Sequence, residues 1–206
     1  MAGKIYLYPR WIRLWHILNA LTFLFLIISG ISMEYSGKHN PVISFHHAVS
    51  IHNFGGILLT FLYLFFVFGN LFTDNGQHYH IINKKEPFKR LKKQFLYYIY
   101  GMFKGEEPPY KISVVQKFNP LQHFTYIGTM YIGMPLIIIT GWAMLYPEIT
   151  IKKIFGVNGL LVTGQLHVII GFLLSVFMII HIYFASIGKK VRSNYEAIIT
   201  GYFEEE

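Results

Sequence analysis

Two histidines in the last apolar segment of the chain are the residues best suited to chemistry. His167 and His181 are fourteen residues apart. In an α-helix this spacing returns to within about 40° of the starting direction and separates the two rings by about 21 Å along the axis. An ionisable side chain inside a membrane span is costly to bury unless something coordinates or pairs with it. The spacing therefore predicts two binding positions on one helix face, and two stacked haems fit it.

Two further histidines match these positions in depth. His16 lies near the start of the first apolar segment, at the predicted depth of His181, and His52 lies near the start of the second, at the depth of His167. A single intramembrane histidine often does no more than hydrogen-bond across a helix interface. Four histidines at two matched depths instead predict two haems, each held between two axial imidazoles.

Three other histidines compete for these roles. His46 and His47 precede His52, and we predict that they are loop residues in the connection before span two. His123 is a stronger rival, because it opens the third apolar segment at the predicted depth of His16 and His181. Spacing alone does not exclude it.

Glycines near the four candidate ligands favour a flat group between the helices. Each lies either close after a histidine or fourteen residues from one, on nearly the same helix face. Glycine has no side chain and permits close approach. We therefore predict that four glycines clear space for the haems: Gly30, Gly55, Gly56 and Gly171.

Membrane-spanning helices must position these histidines. Of the 206 residues, 53% are hydrophobic and 14% are charged, and the apolar residues fall in long blocks. Four blocks approach or exceed the roughly 20 residues that a spanning helix requires. They predict an all-α, integral membrane four-helix bundle that forms a single domain over residues 1–206, with spans at about 14–33, 51–72, 123–145 and 163–187. The first span is too long for a signal-peptide core, so we expect it to be retained.

The basic residues predict the orientation. Fifteen of the eighteen Lys and Arg residues lie before span one, between spans two and three or after span four, and the other three are Lys38, Lys152 and Lys153. The positive-inside rule places both termini and the long middle connection in the cytoplasm. This asymmetry accounts for the net charge of +8, so nucleic-acid binding is not expected. The chain has no cysteine, and any iron–sulfur centre would belong to a partner.

The middle connection, residues 73–122, is too long for a simple turn. Its residues 88–100 combine a basic cluster with aromatic and aliphatic side chains. This composition suits an amphipathic helix at the inner membrane interface. A solvated basic loop is the alternative.

Four motifs, taken in order, resemble the di-haem cytochrome b subunits of respiratory formate dehydrogenases, thiosulfate reductases and nickel-iron hydrogenases. They are an Arg-x-x-His entry to span one, a His-x-x-x-Gly start to span two, a Lys-x-Asn-x-x-Gln stretch before span three and a His-x13-His pair in span four. Here they occupy residues 13–16, 52–56, 117–122 and 167–181. Residues 118–122 followed by 135–144 are most similar to the thiosulfate reductase branch.

The resemblance implies a ligand set. It implies that His52 and His167 hold an outer haem b and that His16 and His181 hold an inner haem b. The family takes its ligands from spans one, two and four, which implies that His123 is not a ligand.

The resemblance also implies a function in the inner membrane of a bacterium or archaeon. Electrons would pass between a quinone pool and an extracytoplasmic partner, which would be an iron–sulfur or molybdenum enzyme, a hydrogenase or a multi-haem cytochrome. Menaquinone or another quinone would bind near Asn119, although Leu121 stands where the formate dehydrogenase branch has glycine. Arg13 would pair with a haem propionate. No catalytic residue is expected in this chain, because substrate turnover would occur on the partner.

Three other functional classes of membrane protein agree less well with the sequence. A membrane metalloenzyme is suggested by two histidine clusters, but our topology places them on opposite sides of the membrane: His46, His47 and His52, against His78 and His80. A proton or ion transporter would use a buried carboxylate, yet all ten Asp and Glu residues lie outside the spans or at their edges. A stand-alone ferric- or ascorbate-type cytochrome b reductase would need more paired histidines or a different helix assignment.

Overall fold

Helices make up most of the computed structural model, which describes residues 4–35, 43–80, 86–188 and 191–204. The α-helices are α1 (Arg10–Tyr35), α2 (Phe45–Phe72), α3 (Pro87–Leu96), α4 (Pro120–Gly128), α5 (Met134–Leu145), α6 (Gly159–Ala185) and α7 (Ser193–Thr200). A π-helical turn, Thr129–Gly133, joins α4 to α5. Four helices are long and apolar enough to cross a membrane: α1, α2, the continuous helix Pro120–Leu145, and α6. The predicted all-α fold with four spans is confirmed.

Strands are few and short. In the described residues β1 (Lys4–Tyr6) pairs antiparallel with β4 (Tyr202–Glu204), and β2 (Lys153–Ile154) pairs with β3 (Val157–Asn158). Phe155 and Gly156, between β2 and β3, both have positive φ. This conformation at both central residues is typical of a tight two-residue hairpin.

The start of α2 corrects one prediction. His46 and His47 lie in the first turn of this helix and not in a loop. The Ala48 N–H donates to the Ser44 carbonyl (2.9 Å), and the Ser44 hydroxyl lies 2.6 Å from His47 Nδ1. The prediction was wrong because it began the helix where the apolar run begins. Backbone hydrogen bonds extend the helix towards the N-terminus, through the polar residues that precede this run.

The four long helices expose many large apolar side chains. Examples are Leu21, Phe61, Ile139 and Phe172, each at least half exposed. A soluble protein would bury such residues, whereas a lipid bilayer solvates them. The exposed surface therefore agrees with the membrane assignment.

The chain divides into two compact units. The first, here the connection unit, comprises residues 1–13, 68–130 and 182–206, and the second, here the histidine unit, comprises residues 14–67 and 131–181. Several basic residues of the orientation argument lie outside the described residues, namely Lys38, Lys84, Lys85, Lys189 and Lys190.

The connection unit brings the two chain ends together. Strands β1 and β4 pair from Lys4 opposite Glu204 to Tyr6 opposite Tyr202. A small core forms beside them from Leu7, Ala197 and Phe203. The predicted amphipathic segment is helical here, with α3 followed by a π-helical turn at Tyr97–Gly101.

Candidate functional site

The four candidate histidines form two pairs within the histidine unit. The ring centroids of His16, on α1, and His181, on α6, lie 6.1 Å apart with planes at 56°. Those of His52, on α2, and His167, on α6, lie 6.2 Å apart with planes at 71°. Helix α6 therefore supplies one histidine to each pair, as the fourteen-residue spacing predicts.

The separation within each pair fits a bis-imidazole haem. A bond from an imidazole nitrogen to a transition metal is about 2.0 Å long, so two rings on opposite sides of one metal have centroids about 6.3 Å apart. Both pairs come close to this value. These separations also occur in ordinary contacts between tilted rings, and they match the spacing that a coordinated iron would require.

Aromatic residues hold the His16–His181 pair in place. The Trp15 indole N–H donates to the Leu62 carbonyl (2.8 Å), and the Trp15 ring stacks on the Phe66 ring with centroids 4.5 Å apart. These two contacts anchor α1 against α2 beside His16. The Phe177 ring stacks at 19° on that of His181, one turn further along α6. These contacts restrict how far either ring can turn.

Buried hydroxyls lie against the His52–His167 pair. Ser29 Oγ, on α1, is 3.0 Å from His52 Nδ1, and Thr140 Oγ1, on α5, is 2.9 Å from His167 Nδ1. Both residues are buried, with Ser29 0% and Thr140 5% exposed. Spans one and three therefore each place one hydroxyl on a histidine of a neighbouring helix.

Glycines next to these hydroxyls leave room for the imidazoles. A Cβ at Gly30 would lie 3.5 Å from His52 Cε1, and one at Gly141 would lie 3.3 Å from His167 Cε1. Gly30 thus leaves room for the His52 ring, and its predicted role of clearing space for a haem stays a prediction; Gly141 was not predicted.

The other three predicted glycines do not face a histidine ring. A Cβ at Gly55 would meet the Leu26 side chain at 3.0 Å, so this glycine lets α1 and α2 approach each other. Its predicted role of leaving room for a haem stays a prediction. A Cβ at Gly171 would lie 3.7 Å from Ile137 Cδ1, while nothing lies within 4 Å of one at Gly56.

The rival histidines have other surroundings. His123 Nε2 lies 3.0 Å from the His80 carbonyl oxygen, whereas the ring that faces His181 is that of His16. Over the described part of the chain, no group of three or more His, Cys, Asp or Glu side chains is arranged to hold a metal ion. The histidine clusters that suggested a metalloenzyme do not assemble there.

Asn119, the candidate quinone residue, caps a helix in the connection unit. Its Oδ1 accepts hydrogen bonds from the N–H groups of Leu121 (3.1 Å) and Gln122 (2.9 Å), and Gln122 Oε1 accepts from the Asn119 N–H in return. Its Nδ2 donates to the Tyr98 hydroxyl (2.8 Å). The amide oxygen is thus committed to the start of α4, which leaves one N–H of the amide for a ligand.

Arg13, the candidate propionate partner, keeps one donor free. Its Nη1 donates to the Ile199 carbonyl. Its Nε is buried and has no hydrogen-bond partner among the described residues. An orphaned buried donor of this kind suits an anionic acceptor.

A buried lysine lies in the same unit. Lys117 is 3% exposed, and its Nζ donates to Asn75 Oδ1 (2.8 Å) and lies 4.8 Å from the centre of the Tyr8 ring. Burial lowers the pKa of Lys117 to about 8 and raises the pKa of the Tyr8 hydroxyl to about 12. Burial, followed by the positive charge of Lys117, lowers the pKa of His78 to about 4.

Sequence reasoning missed Ser29, Thr140 and Gly141. A signal for them was present, because a hydroxyl residue followed by glycine occurs in both span one (Ser29-Gly30) and span three (Thr140-Gly141). The sequence alone does not show the role of this repeated dipeptide. The structure shows it, because each dipeptide lies beside a histidine ring.

The chain is similar to known cytochromes. The family model for prokaryotic cytochrome b561 matches residues 7–201. The Escherichia coli (strain K12) protein named "Putative cytochrome YdhU" is 35% identical over 199 residues, covering 97% of this chain and 74% of that protein. The Rhodobacter capsulatus protein named "Probable Ni/Fe-hydrogenase B-type cytochrome subunit" is 27% identical over 218 residues, covering 96% of this chain and 79% of that protein. No solved structure matches the chain.

Proposed function

This chain belongs to the prokaryotic cytochrome b561 family, and from that premise we propose that it binds two b haems and relays electrons across the membrane between quinone and a partner oxidoreductase. It is a multi-pass bacterial membrane protein that binds haem b and functions in electron transfer. The number of haems, the quinone and the partner are the parts that we propose.

The observation that carries the proposal is the pairing of the four histidines. Two pairs with nearly equal centroid separations, 6.1 and 6.2 Å, draw on three helices and share α6. His16 and His181 would hold one haem and His52 and His167 the other. Haem b, when bound, would supply a one-electron iron couple, and the imidazoles of each pair would hold the iron from two sides.

The fourteen residues between His167 and His181 support transfer across the membrane. This spacing places the two pairs about 21 Å apart along α6. With the termini in the cytoplasm, as the basic residues favour, the His16–His181 pair is the inner site and the His52–His167 pair is the outer site.

We assign the quinone to the connection unit, with Asn119 as the contact residue. The one remaining amide N–H of Asn119 is a donor for a quinone carbonyl. Arg13 is the proposed partner of a haem propionate, because its buried Nε has no hydrogen-bond partner in the described residues.

An extracytoplasmic enzyme is the proposed partner. The name of the Rhodobacter capsulatus relative favours a hydrogenase, and the resemblance to thiosulfate reductases favours an iron–sulfur or molybdenum enzyme. A multi-haem cytochrome, which is also a redox protein, is the third candidate. Each would exchange electrons with the outer haem.

Haem quantification tests the proposal. We expect two haems per purified chain in the reduced minus oxidised spectrum and the pyridine haemochromogen assay. His167→Ala and His181→Ala should each lose one haem, and the remaining haem should differ between them in redox potential. His123→Ala, a histidine outside both pairs, is the matched control and should keep two.

Other results would overturn the proposal. One haem in the wild-type chain would refute the two-site assignment, as would loss of the same haem from both variants.

A separate experiment tests the quinone. A soluble menaquinol analogue should reduce the haems of the purified chain, and the absence of such reduction would remove the quinone from the proposal.

A further inference from the structure

Two hydroxyl residues occupy equivalent positions at the His52–His167 pair. Ser29 on α1 and Thr140 on α5 each place their oxygen within 3.0 Å of the Nδ1 of the nearest histidine. Each is followed by a glycine, Gly30 or Gly141, whose missing side chain leaves space at the Cε1 edge of the same ring. The same arrangement thus occurs twice, on two different helices and against two different histidines.

The direction of these hydrogen bonds follows from the helix backbone. The Ser29 hydroxyl donates to the Phe25 carbonyl at 2.7 Å, and the Thr140 hydroxyl donates to the Leu136 carbonyl at 2.7 Å. A hydroxyl has one proton, and the backbone carbonyl already accepts it. With its proton on the carbonyl, each hydroxyl oxygen is available to accept a hydrogen bond from the Nδ1–H of its histidine, and this is the direction that we infer.

This direction selects one tautomer of each ring. An imidazole that donates from Nδ1 is unprotonated at Nε2, and only an unprotonated nitrogen can bind a metal. Because Ser29 and Thr140 are buried, water does not compete for the Nδ1–H. Both rings are thus held with Nε2 available as the ligand atom before any metal arrives.

We propose that Ser29 and Thr140 are positioning residues that select the ligand tautomer of His52 and His167, fix their ring planes and lower the redox potential of the haem they hold. The inference rests on the proposed function. A hydrogen-bond acceptor on the far nitrogen raises the basicity of the coordinating imidazole. A more basic imidazole stabilises the ferric state, so the hydroxyls favour the oxidised form.

The test measures potentials and not turnover. In Thr140→Val, which keeps the shape and removes the hydroxyl, and in Ser29→Ala, we expect the potential of the His52–His167 haem to rise. The expected change in the ferric/ferrous equilibrium is about threefold to tenfold, and tenfold corresponds to about 59 mV for a one-electron couple. The other haem should keep its potential, and Thr140→Ser should restore the wild-type value.

Matched controls come from other hydroxyls in the spans. Thr22 is buried in α1 and donates to the Leu18 carbonyl at 2.8 Å, and Ser175 in α6 donates to the Gly171 carbonyl at 2.7 Å. Thr22→Val and Ser175→Ala remove the same kind of hydroxyl and helix hydrogen bond. Both variants should leave the two potentials unchanged.

A second readout reports ring orientation. The electron paramagnetic resonance signal of low-spin ferric haem depends on the angle between the two axial ring planes, which is 71° in this pair. We expect the signal of this haem to shift in Thr140→Val and to return in Thr140→Ser. Loss of this haem from Thr140→Val but not from Thr140→Ser would also support the inference, because ligand placement would then require the hydroxyl.

The failures of the two proposals are distinguishable. A wild-type chain without a haem at His52 and His167 would overturn the proposed function and this inference with it. A wild-type chain with two haems, whose potentials and signals are unchanged in Thr140→Val and Ser29→Ala, would overturn this inference alone. A potential that shifts equally in the control variants would also overturn it.

Discussion

Gly30 and Gly141 leave different amounts of space beside the two histidines they face. A Cβ at Gly30 would lie 3.5 Å from His52 Cε1, which is an ordinary contact distance. A Cβ at Gly141 would lie 3.3 Å from His167 Cε1, which is closer than most real contacts and requires the ring to move. Position 141 should therefore be the more sensitive of the two.

We expect Gly141→Ala to weaken haem binding at the His52–His167 site by about tenfold, since displaced supporting groups typically cost that much in metal affinity. Haem titration of the apo chain, followed by the visible spectrum, measures this effect. Gly30→Ala and Gly171→Ala, whose Cβ atoms would lie 3.5 Å from His52 Cε1 and 3.7 Å from Ile137 Cδ1, should each weaken binding less. Equal affinity in all three variants would contradict the argument.

His78 should make the connection unit sensitive to acid. Burial and the Lys117 charge lower the folded-state pKa of His78 to about 4, while its ordinary value is 6.5. Between these values the unfolded chain binds more protons than the folded chain, so stability falls as the pH decreases from 6.5 towards 4. Above 6.5 this contribution is fully present.

A series of thermal midpoints at pH 7.5, 6.5, 5.5 and 4.5 measures this loss in detergent solution. We expect His78→Gln to lose less stability than the wild type over the range from 6.5 to 4. Lys117→Gln should show an intermediate slope, because it removes the smaller of the two causes. Parallel slopes in wild type and His78→Gln would show that another group is responsible.

At the scale of the element, the start of α4 combines a structural and a proposed functional role in one residue. Asn119 caps the helix and takes part in a reciprocal capping box with Gln122. Such caps typically stabilise a protein by about 1 kcal/mol. A change at Asn119 therefore affects stability whether or not quinone binds there.

Two substitutions separate these roles. Asn119→Ala should lower the free energy of unfolding by about 1 kcal/mol, whereas Asn119→Ser keeps a capping oxygen and should lower it by much less. If the amide N–H contacts quinone, Asn119→Ser should slow haem reduction by a menaquinol analogue although it remains stable. Normal reduction in Asn119→Ser would leave Asn119 with the capping role alone.

At the scale of the whole molecule, the distribution of charge should determine the orientation in the membrane. The basic residues before residue 14, between the second and third spans and after α6 outnumber those in the other connections by fifteen to three. Lys and Arg in short connections are retained on the cytoplasmic side. We therefore expect both termini in the cytoplasm and the β2–β3 hairpin outside.

Reporter fusions measure this orientation. A green fluorescent protein joined after residue 206 should fluoresce, and alkaline phosphatase joined there should be inactive. Phosphatase inserted between Phe155 and Gly156, at the tip of the hairpin, should be active, while the fluorescent protein should be dark at that point. The reverse pattern would invert the inner and outer assignments of the two haem sites.

The pairing of the four histidines could be predicted in part from the sequence. The match in depth between His16 and His181, and between His52 and His167, follows from helix rise and span position alone. The family resemblance is confirmed by the match to prokaryotic cytochrome b561. The individual ligand roles remain predictions that the pair geometry supports.

The sequence by itself determined the number of spans, their order and the depth of each histidine. These properties depend on run length and on rise per residue, which a bilayer constrains strongly. Only the tertiary structure decided which small residues face the histidines: Ser29 and Thr140 as hydrogen-bond partners and Gly141 as the unpredicted space. It also decided that Gly55 lies at a contact between α1 and α2. The spanning helices are apolar on all sides. With no polar face to fix their rotation about their own axes, side-chain packing between neighbouring helices decides which residues meet.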